Sequence, residues 1–463
     1  MSELTYKSAT ELAAMVRAKK VSPSEVIDAH IARIEAVNPK LNAVVQLMAE
    51  SARARAAEAD AALVGGENWG PLHGIPFTVK DSIEMQGVIS TAGTKGRADH
   101  VAERDSVVVT RLRGAGAIPL AATNVPEVCL AGETDNLVYG RTSNPYDLGR
   151  TPGGSSGGEA AIIAAGGSPL GLGSDVGGSI RQPSHFCGIA GLKPTSGRVP
   201  STGHWPPLDG LLGPMFKIGP MARRVEDLAL ALPIIAGPDW RDARVGAVPI
   251  GDPSKVELSA MRVAMFTDNG NIPADADTVT TIAAAAEALK SAGAQVNEAR
   301  PPGAERANDM FISILRSDGG AGVRALLEEA GTTEPHPLLQ MWLDRQGSSP
   351  LIAAEFAAML AALDRWRSQM LSIFADHDAV LCPVWATPAV EHGTLADAGW
   401  PGTSYTRQFN LTGWPGAVVR AGTSGGGLPI GVQLVAAPWR EDIALALAGQ
   451  IETALGGWQA PAI

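Results

Sequence analysis

The sequence predicts one large α/β unit built on a largely parallel or mixed β-sheet. Buried-strand patterns and amphipathic-helix patterns alternate from near residue 70 onward, with no linker-like stretch between them. The 53 glycines and 33 prolines indicate many tight turns and close backbone approaches. A chain of 463 residues, 45% hydrophobic and 18% charged, is long enough and apolar enough to bury a large core without disulfide bonds.

The first elements are predicted to be helices. Residues 8–20 form one amphipathic pattern, and a second begins after Ser22, a typical N-cap residue that is followed by Pro23 at the first helical position. Residues 76–83 then have the pattern of a short buried strand. Residues 105–127 are predicted to form a helix, a glycine turn, a strand and a loop, an alternation of elements similar to that of a βαβ unit.

The middle and C-terminal parts continue this alternation. A glycine-dense stretch over 149–198 contains a short apolar helix pattern and a strand pattern. The helical stretch over 305–375 is broken at Gly331 and at Pro335–Pro337. The remaining predicted elements are helices over 225–237 and 276–294 and buried strands over 378–384 and 428–437.

Charge and cysteine content exclude several classes of function. The 37 Lys and Arg against 48 Asp and Glu give a net charge of −11 without any basic run, which disfavours a nucleic-acid partner. Cys129, Cys187 and Cys382 lie far apart and form no CxxC pair, so neither a zinc site nor a disulfide framework is expected. The N-terminal residues lack a signal-peptide pattern, and glycines and prolines break the uncharged run between Arg420 and Arg440. We therefore expect a cytoplasmic protein that does not cross a membrane.

The stretch TPGGSSGGEA at residues 151–160 raises the question of what its glycines and serines do. A flexible linker does not fit, because apolar, element-forming sequence resumes directly after it. A phosphate-binding loop needs Lys followed by Ser or Thr where Glu159 stands. The G-x-S-x-G pattern of a nucleophile elbow occurs, yet a turn sequence precedes it instead of a strand. A Ser-His-Asp triad with His73, His185 or another histidine stays open, with a structural role favoured for each histidine.

A second serine, Ser179, follows a strand pattern and the run Val176–Gly178. Successive backbone N–H groups without bulky side chains can converge on an oxyanion, which favours Ser179 as a nucleophile; a glycine bulge is the alternative. A serine nucleophile needs a base, and Lys80 at the end of an apolar strand can serve if burial lowers its pKa. The alternative for Lys80 is a salt bridge with Asp81 or a side chain that reaches solvent.

Taken together, these stretches resemble the amidase signature family of serine hydrolases. The resemblance covers nearly the whole chain and is carried by ordered segments, among them LHGIPFTVKDSI, SNPYDLGRTPGGSSGGEAA, GLGSDVGGSIRQPSHFCGIAGLKPTSGRV, FNLTGWPG and GLPIGVQLV. It implies a single large mixed β-sheet covered by helices on both faces. It also implies a single domain over residues 1–463, with N-terminal helices in 1–65, the signature core in 70–230 and a variable substrate-pocket region in 300–400.

Carried over residue by residue, the resemblance implies a catalytic triad. In this triad Ser179 is the nucleophile, Ser155 is a bridging serine held by a cis peptide bond, and Lys80 is the base. The implied oxyanion hole consists of the backbone N–H groups of Val176, Gly177, Gly178 and Ser179. The implied supporting residues are Ser156 and Ser174, which form hydrogen bonds around the triad, and the ion pair of Asp175 with Arg181. No metal ion or organic cofactor is implied.

The resemblance leaves the substrate open. The apolar sequence favours amides, or carbamates (urethanes), of small hydrophobic or aryl compounds. Residues 310–316 and 351–375 are candidates for the wall beside the acyl group, with a place in the helix core favoured for most of them. Residues 200–217 are expected to form a mobile entrance loop or a plain surface loop. The alternative within the family is the glutaminase component of a tRNA-dependent amidotransferase (its A chain), which releases ammonia from glutamine within a complex. A catalytically inactive binding protein on the same fold is the alternative outside it. Homodimers are common among family members, so a homodimer is an expected assembly.

Overall fold

The structure, a computed structural model, describes residues 3–207, 209–210, 212–346, 350–397 and 401–463. Within these residues, eleven β-strands form one sheet. The strands are β1 (Val44–Leu47), β2 (Pro76–Lys80), β3 (Ile118–Thr123), β4 (Leu170–Asp175), β5 (Ala190–Lys193), β6 (Lys217–Ala222), β7 (Arg262–Met265), β8 (Gln295–Glu298), β9 (Ala379–Pro383), β10 (Gly416–Thr423) and β11 (Pro429–Ala436).

Helices flank this sheet. The α-helices of the described residues are α1 (Ala9–Arg17), α2 (Pro23–Leu41), α3 (Ala49–Val64), α4 (Val107–Gly114), α5 (Gly157–Ala164), α6 (Arg181–Phe186), α7 (Val225–Ile235), α8 (Ala276–Ser291), α9 (Ala307–Arg316), α10 (Ala321–Ala330), α11 (Pro337–Asp344), α12 (Ala353–Leu371), α13 (Thr394–Asp397), α14 (Ser404–Leu411) and α15 (Glu441–Leu455). None of these helices is both long enough and apolar enough to cross a membrane.

The sheet is mixed, as predicted. Its strand order is β1-β3-β2-β4-β6-β5-β10-β11-β9-β7-β8. β2 runs parallel to β3 and β4, and β7 runs parallel to β8 and β9, whereas the other paired strands are antiparallel. The first six strands and the last five therefore form two halves of one sheet, which meet where β5 pairs with β10. The predicted α/β class, with one large mixed sheet and flanking helices, is confirmed.

Local sequence explains where the second helix begins. The Ser22 hydroxyl accepts a hydrogen bond from the Glu25 N–H (3.1 Å), and the Glu25 carboxylate accepts one from the Ser22 N–H (2.8 Å). This reciprocal capping satisfies backbone donors that have no partner inside the helix. Pro23, the first residue of α2, lacks an N–H and fits where none is needed. The predicted start of this helix is confirmed.

The breaks predicted in the long helical stretch are also found. α10 ends before Gly331, whose φ of 77° is in the left-handed region that glycine adopts without strain. α11 begins at Pro337, after a segment that two prolines keep out of the helical conformation. A further break between α9 and α10, with φ of 79° at Gly320, was not predicted.

The strands that position the candidate site lie near the centre of the first half. β2 and β4 are parallel neighbours, with Val79 in register with Leu172, and both are buried along their whole length. Because parallel strands end at the same edge of a sheet, the last residues of these two strands, Lys80 and Asp175, are brought to one edge.

Candidate active site

Lys80 is the centre of a buried polar cluster. Its side-chain nitrogen Nζ lies 2.6 Å from Ser155 Oγ and 2.9 Å from Ser174 Oγ, and the side chain is fully buried. Strand β2 supplies Lys80 and strand β4 supplies Ser174, while Ser155 comes from the glycine-rich stretch just before α5. The structure thus joins three residues that are up to 94 positions apart in the chain.

The glycine-rich stretch is tightly packed. A Cβ on Gly154 would lie 2.7 Å from the Ala131 carbonyl oxygen and 3.0 Å from the Glu133 nitrogen, which is closer than real side chains approach backbone. The Gly154–Ser155 peptide bond is cis, as the resemblance implied. The glycines therefore serve close approach of the backbone to neighbouring segments, in agreement with the rejection of a linker.

The environment of Lys80 favours a neutral amine. Burial lowers its pKa, opposed by the charges of Cys129, Asp175 and Glu159. Burial also raises the pKa of Glu159 to about 8, although the hydroxyls of Thr78 and Thr123 donate hydrogen bonds to it. The Glu159 carboxyl therefore opposes the lowering of the Lys80 pKa less than a glutamate of ordinary pKa would.

The salt bridge that was the alternative for Lys80 is not formed. Among the described residues, no carboxylate lies within 4.0 Å of Lys80 Nζ, since none of the ion pairs includes it. Asp81 instead accepts hydrogen bonds from the N–H and the hydroxyl of Thr91, at 3.1 Å and 2.5 Å. Because Lys80 is fully buried, its amine does not reach solvent either. Both alternative roles are therefore excluded by the geometry.

The turn after β4 is organised by Asp175. Its carboxylate accepts hydrogen bonds from the N–H groups of Gly178 (2.8 Å) and Ile180 (3.1 Å) and pairs with Arg181 at 3.0 Å. Burial alone would raise the pKa of Asp175, but the Arg181 charge and the hydrogen bonds outweigh it and hold the pKa below its usual range. The ion pair that the resemblance implied is present and fully buried, and it fixes the backbone on both sides of Ser179.

The backbone around Ser179 offers free donors. No acceptor within the described part of the chain engages the N–H groups of Val176, Gly177 or Ser179. The N–H of Gly178 differs from the expectation, because it donates to Asp175 Oδ1. The carbonyl oxygen of Gly177 is held by the Thr406 hydroxyl at 2.7 Å, which orients the peptide that follows it. Three of the four implied oxyanion donors are therefore free in this arrangement, and Gly178 is not.

The two supporting serines bind each other. The Ser156 hydroxyl donates to the Ser174 carbonyl oxygen at 3.2 Å and accepts from the Ser174 N–H at 3.3 Å. The Ser156 N–H also donates to the Ser179 carbonyl oxygen at 3.2 Å. These bonds tie the glycine-rich stretch to β4 and to the turn that carries Ser179. Both serines therefore lie around the predicted triad.

His204 is a site residue that sequence reasoning missed. Its Nε2 lies 3.1 Å from Ser174 Oγ and 3.0 Å from Ser82 Oγ, and its Nδ1 lies 2.9 Å from the Pro206 carbonyl oxygen. A carbonyl only accepts, so Nδ1 carries the proton and Nε2 accepts from the two serines. Burial lowers the pKa of His204 to about 3, so the ring is neutral. The sequence signal that points to it is the Trp-, Pro- and Gly-rich segment 200–217 in which it lies.

Ser179 lines a cleft together with Gly154 of the glycine-rich stretch. Other residues of its wall are Gly177, Cys129, Gln182 and Arg407. An apolar cavity of about 330 Å³ adjoins the cleft. The two spaces share Leu130, Leu315 and Trp342. The cleft gives Ser179 access to a small molecule, and the cavity provides room for an apolar group.

The segments named for the substrate pocket differ in whether they line the cleft and the cavity. Leu315 from 310–316 lines the cleft and the cavity, as expected. The described residues of 351–375 line neither space. Most of them belong to α12, whose Trp366 is buried in one hydrophobic cluster with Phe311 and Ile314 and donates to the Gly303 carbonyl oxygen at 2.7 Å. In 200–217, Pro206, Pro207, Asp209 and Leu212 line the cavity; Leu208 and Leu211 lie outside the described residues.

The two histidines named as triad candidates have structural roles. His73 Nδ1 accepts from the Trp69 N–H at 3.0 Å, and its Nε2 lies 3.0 Å from the Ala59 carbonyl oxygen. His185 Nδ1 accepts from the Gly431 N–H at 2.8 Å, and its Nε2 lies 3.0 Å from the Thr387 carbonyl oxygen. Both rings are thus fully occupied and neither lines the cleft of Ser179. No group of three or more His, Cys, Asp or Glu side chains in the described part of the chain is arranged to hold a metal ion.

Comparisons with known proteins identify the class to which this fold and this site belong. Residues 25–445 match the family model described as Amidase. The chain is 36% identical to an acylamidase of Rhodococcus erythropolis, over 97% of this chain and 95% of that protein. It is 34% identical to the A chain of the glutamyl-tRNA(Gln) amidotransferase of Prochlorococcus marinus (strain MIT 9303), over 90% of this chain and 91% of that one.

A solved structure agrees with these relatives. A bacterial aryl acylamidase of the amidase signature family superposes with a TM-score of 0.87 at 28% identity, covering 98% of this chain and 97% of that one. The chain therefore belongs to the amidase signature family, and the resemblance seen in the sequence is confirmed. Within that family it is an amidase, a hydrolase that acts on carbon–nitrogen bonds.

Proposed function

We propose that this amidase cleaves amides of small hydrophobic or aryl compounds through an acyl-enzyme on Ser179. The observation that carries the proposal is the buried Lys80 amine 2.6 Å from Ser155 Oγ, together with a cleft that Ser179 and Gly154 line. A serine hydroxyl is a weak nucleophile at neutral pH and needs a base. A lysine whose pKa is lowered by burial supplies one.

The proposed reaction combines the contact between Lys80 and Ser155 with a proton transfer between Ser155 and Ser179. Neutral Lys80 accepts the hydroxyl proton of Ser155, and Ser155 in turn takes the proton of Ser179 as Ser179 Oγ bonds to the substrate carbonyl carbon. The same proton returns through Ser155 to the leaving nitrogen as the carbon–nitrogen bond breaks. Water then attacks the acyl-enzyme by the same relay and restores Ser179. Ser174 also holds the lysine amine, and His204 in turn holds the Ser174 hydroxyl.

The charge that develops on the carbonyl oxygen needs donors that are already in place. The free N–H groups of Val176, Gly177 and Ser179 meet this need, because no described acceptor occupies them. The Gly178 N–H does not enter this proposal while it binds Asp175. Donors fixed in advance stabilise the transition state more than donors that must reorient.

The cavity beside the cleft supports a hydrophobic substrate. About 330 Å³ is enough for a short acyl chain or an aromatic ring, and Val128, Leu130, Leu315, Val323 and Trp342 contribute apolar walls. A carbamate presents nearly the same carbonyl to Ser179 as an amide does. We therefore extend the proposal to aryl carbamates (urethanes), whose cleavage would follow the same relay.

The test is covalent labelling combined with turnover. Wild type and Ser179→Ala are incubated with a fluorophosphonate and their intact masses are measured, and release of nitroaniline from a neutral aryl amide and an aryl carbamate is followed. We expect one adduct on wild type, none on Ser179→Ala, and turnover only by wild type. Ser51→Ala, at an exposed serine of α3, is the matched control and should behave as wild type. An adduct that persists on Ser179→Ala would contradict the assignment of the nucleophile.

The glutaminase component of a tRNA-dependent amidotransferase is the second candidate function. It is favoured by the 34% identity to such a component from Prochlorococcus marinus. The same experiment separates the two, because a free-standing amidase turns over the aryl amide as a purified chain. Labelling of Ser179 without turnover of any amide, and with ammonia release from glutamine only in the presence of partner proteins, would favour the second candidate.

A further inference from the structure

Arg407 places a charged group in the wall of the active-site cleft. It lies on α14, is 2% exposed, and lines the same cleft as Ser179 and Gly177. Among the described side chains its guanidinium has no carboxylate within ion-pair distance. Its Nη1 donates to Asn308 Oδ1 at 2.6 Å and its Cζ lies 5.0 Å from the Phe311 ring centroid, while its Nε has no hydrogen-bond partner.

Two other buried arginines each pair with a carboxylate, which Arg407 does not do among the residues that the structure describes. Arg181 pairs with Asp175 at 3.0 Å, and Arg198 pairs with Glu441 at 2.8 Å, each with both side chains at most 2% exposed. Burial lowers the pKa of Arg407 to about 9, so at neutral pH the guanidinium still carries its charge. A buried charge without a partner is unfavourable, and a ligand of opposite charge would remove that penalty.

A second donor without a partner lines the same cleft. Gln182 is 2% exposed, and its Nε2 has no hydrogen-bond partner, whereas its Oε1 accepts from the Gly154 N–H at 3.4 Å. It stands three residues after Ser179, at the second position of α6. Two buried residues of the cleft wall therefore each carry an N–H group without an acceptor in the described part of the chain. This matches a ligand group that only accepts, and a carboxylate is such a group.

We propose that Arg407 and Gln182 form a subsite for a carboxylate carried by the substrate. The preferred substrates are then amides that bear a carboxylate on the acyl part or on the amine part, while the apolar cavity takes the uncharged remainder. The inference rests on the proposed amidase activity and names its substrate class. Asn308 and Phe311 position the guanidinium.

The test compares matched neutral and anionic substrates. For the acyl part, succinyl and glutaryl 4-nitroanilides are compared with butyryl and valeryl 4-nitroanilides. For the amine part, N-acetyl-3-aminobenzoate is compared with N-acetyl-3-aminobenzamide. We expect wild type to prefer the anionic member of at least one set by about tenfold or more in kcat/KM. Arg407→Met should remove that preference mainly through KM, and Gln182→Leu should reduce it by about threefold.

The controls separate this inference from the proposed activity. Arg367, a half-buried arginine that donates to the Leu411 carbonyl oxygen at 2.7 Å, does not line the cleft, so Arg367→Met should keep the wild-type ratio. No turnover of any substrate by wild type would refute the proposed activity itself. Turnover with equal kcat/KM for neutral and anionic members in both sets would refute the carboxylate subsite.

A purely structural role for Arg407 predicts a different result. In that case Arg407→Met lowers kcat/KM equally for neutral and anionic substrates and leaves their ratio unchanged, which would overturn the inference. If circular dichroism shows that Arg407→Met does not fold, Arg407→Lys decides instead. Lysine keeps a charge but loses the planar fork, so the preference for the anionic member should fall without reversing. An unchanged preference in Arg407→Lys together with Gln182→Leu would overturn the inference.

Discussion

At the scale of a single residue, burial determines the acid–base behaviour of Lys80. The pKa of Lys80 is lowered from the ordinary lysine value of 10.5 by burial, so its neutral form is populated at lower pH than in an exposed lysine. The relay needs this neutral form, and protonation as the pH falls removes the acceptor. We therefore expect kcat/KM for a neutral aryl amide to rise with pH through one ionisation and then level off. The measurement is a pH profile with the enzyme's stability checked at each pH.

The substitution Lys80→Arg also tests the assignment of Lys80 as the base. Arginine keeps the positive charge and does not lose its proton at neutral pH, so kcat/KM should fall by about 10²- to 10⁴-fold, with the fold intact by circular dichroism. Lys95→Arg, at an exposed lysine paired with Glu334, is the matched control and should retain activity. An active Lys80→Arg enzyme, or a wild-type profile flat toward acid pH, would contradict the assignment of the base.

The site could be predicted from sequence only where its residues lie in motifs of the family. Lys80, Ser155 and Ser174 stand in dense motifs, and the structure brings them within hydrogen-bonding distance. Arg407 and His204 lie outside those motifs, and each looks like an ordinary loop or helix residue in the sequence. Their significance comes from burial, from contacts between distant positions or from a missing partner, which no local pattern encodes.

At the scale of elements, the turn from β4 to α6 depends on the buried ion pair of Asp175 and Arg181. Arg181→Met leaves the Asp175 carboxylate buried without a cation, so the free energy of unfolding should fall by about 3–5 kcal/mol, as measured in urea. The exposed pair of Arg53 and Asp28, with side chains 52% and 57% exposed, is the matched control. Arg53→Met should cost about 1 kcal/mol or less. Equal losses in the two variants would contradict the role given to burial.

Strands were predictable from sequence where turn residues bound a run of apolar residues. β2, β4, β9 and β11 are bounded by turn residues and buried throughout, and their patterns predicted them. β6 was missed because a glycine and a proline interrupt its sequence KIGPMA, and both residues usually weaken a strand. β8 was missed because its sequence QVNE is mostly polar and exposed at the sheet edge. Tertiary pairing, which the sequence does not display, overrides the local preference of both strands.

At the scale of the whole molecule, the two halves of the sheet are joined by a continuous ladder. Strand β5 pairs with β10 through Gly191 with Val418 and its neighbours, so the sheet has no gap between its halves. Buried polar contacts cross the same junction. Arg181 donates to Asn410 Oδ1 at 2.5 Å, and Arg198 pairs with Glu441 at 2.8 Å. Separation of the halves would break the β5–β10 ladder and these buried polar contacts, so we expect the halves to unfold together.

Two buried cysteines make this expectation measurable, because one lies in each half. Cys187 follows α6 and Cys382 lies in β9, and both are fully buried, which raises the pKa of each thiol and keeps it unreactive in the native state. Brief pulses of a maleimide at increasing urea concentrations, followed by peptide mass spectrometry, give a labelling curve for each thiol. We expect the two midpoints to coincide with each other and with the loss of far-UV circular dichroism. Labelling of Cys382 at a urea concentration that leaves Cys187 protected would show that the C-terminal half unfolds by itself, and would contradict the single domain predicted for residues 1–463.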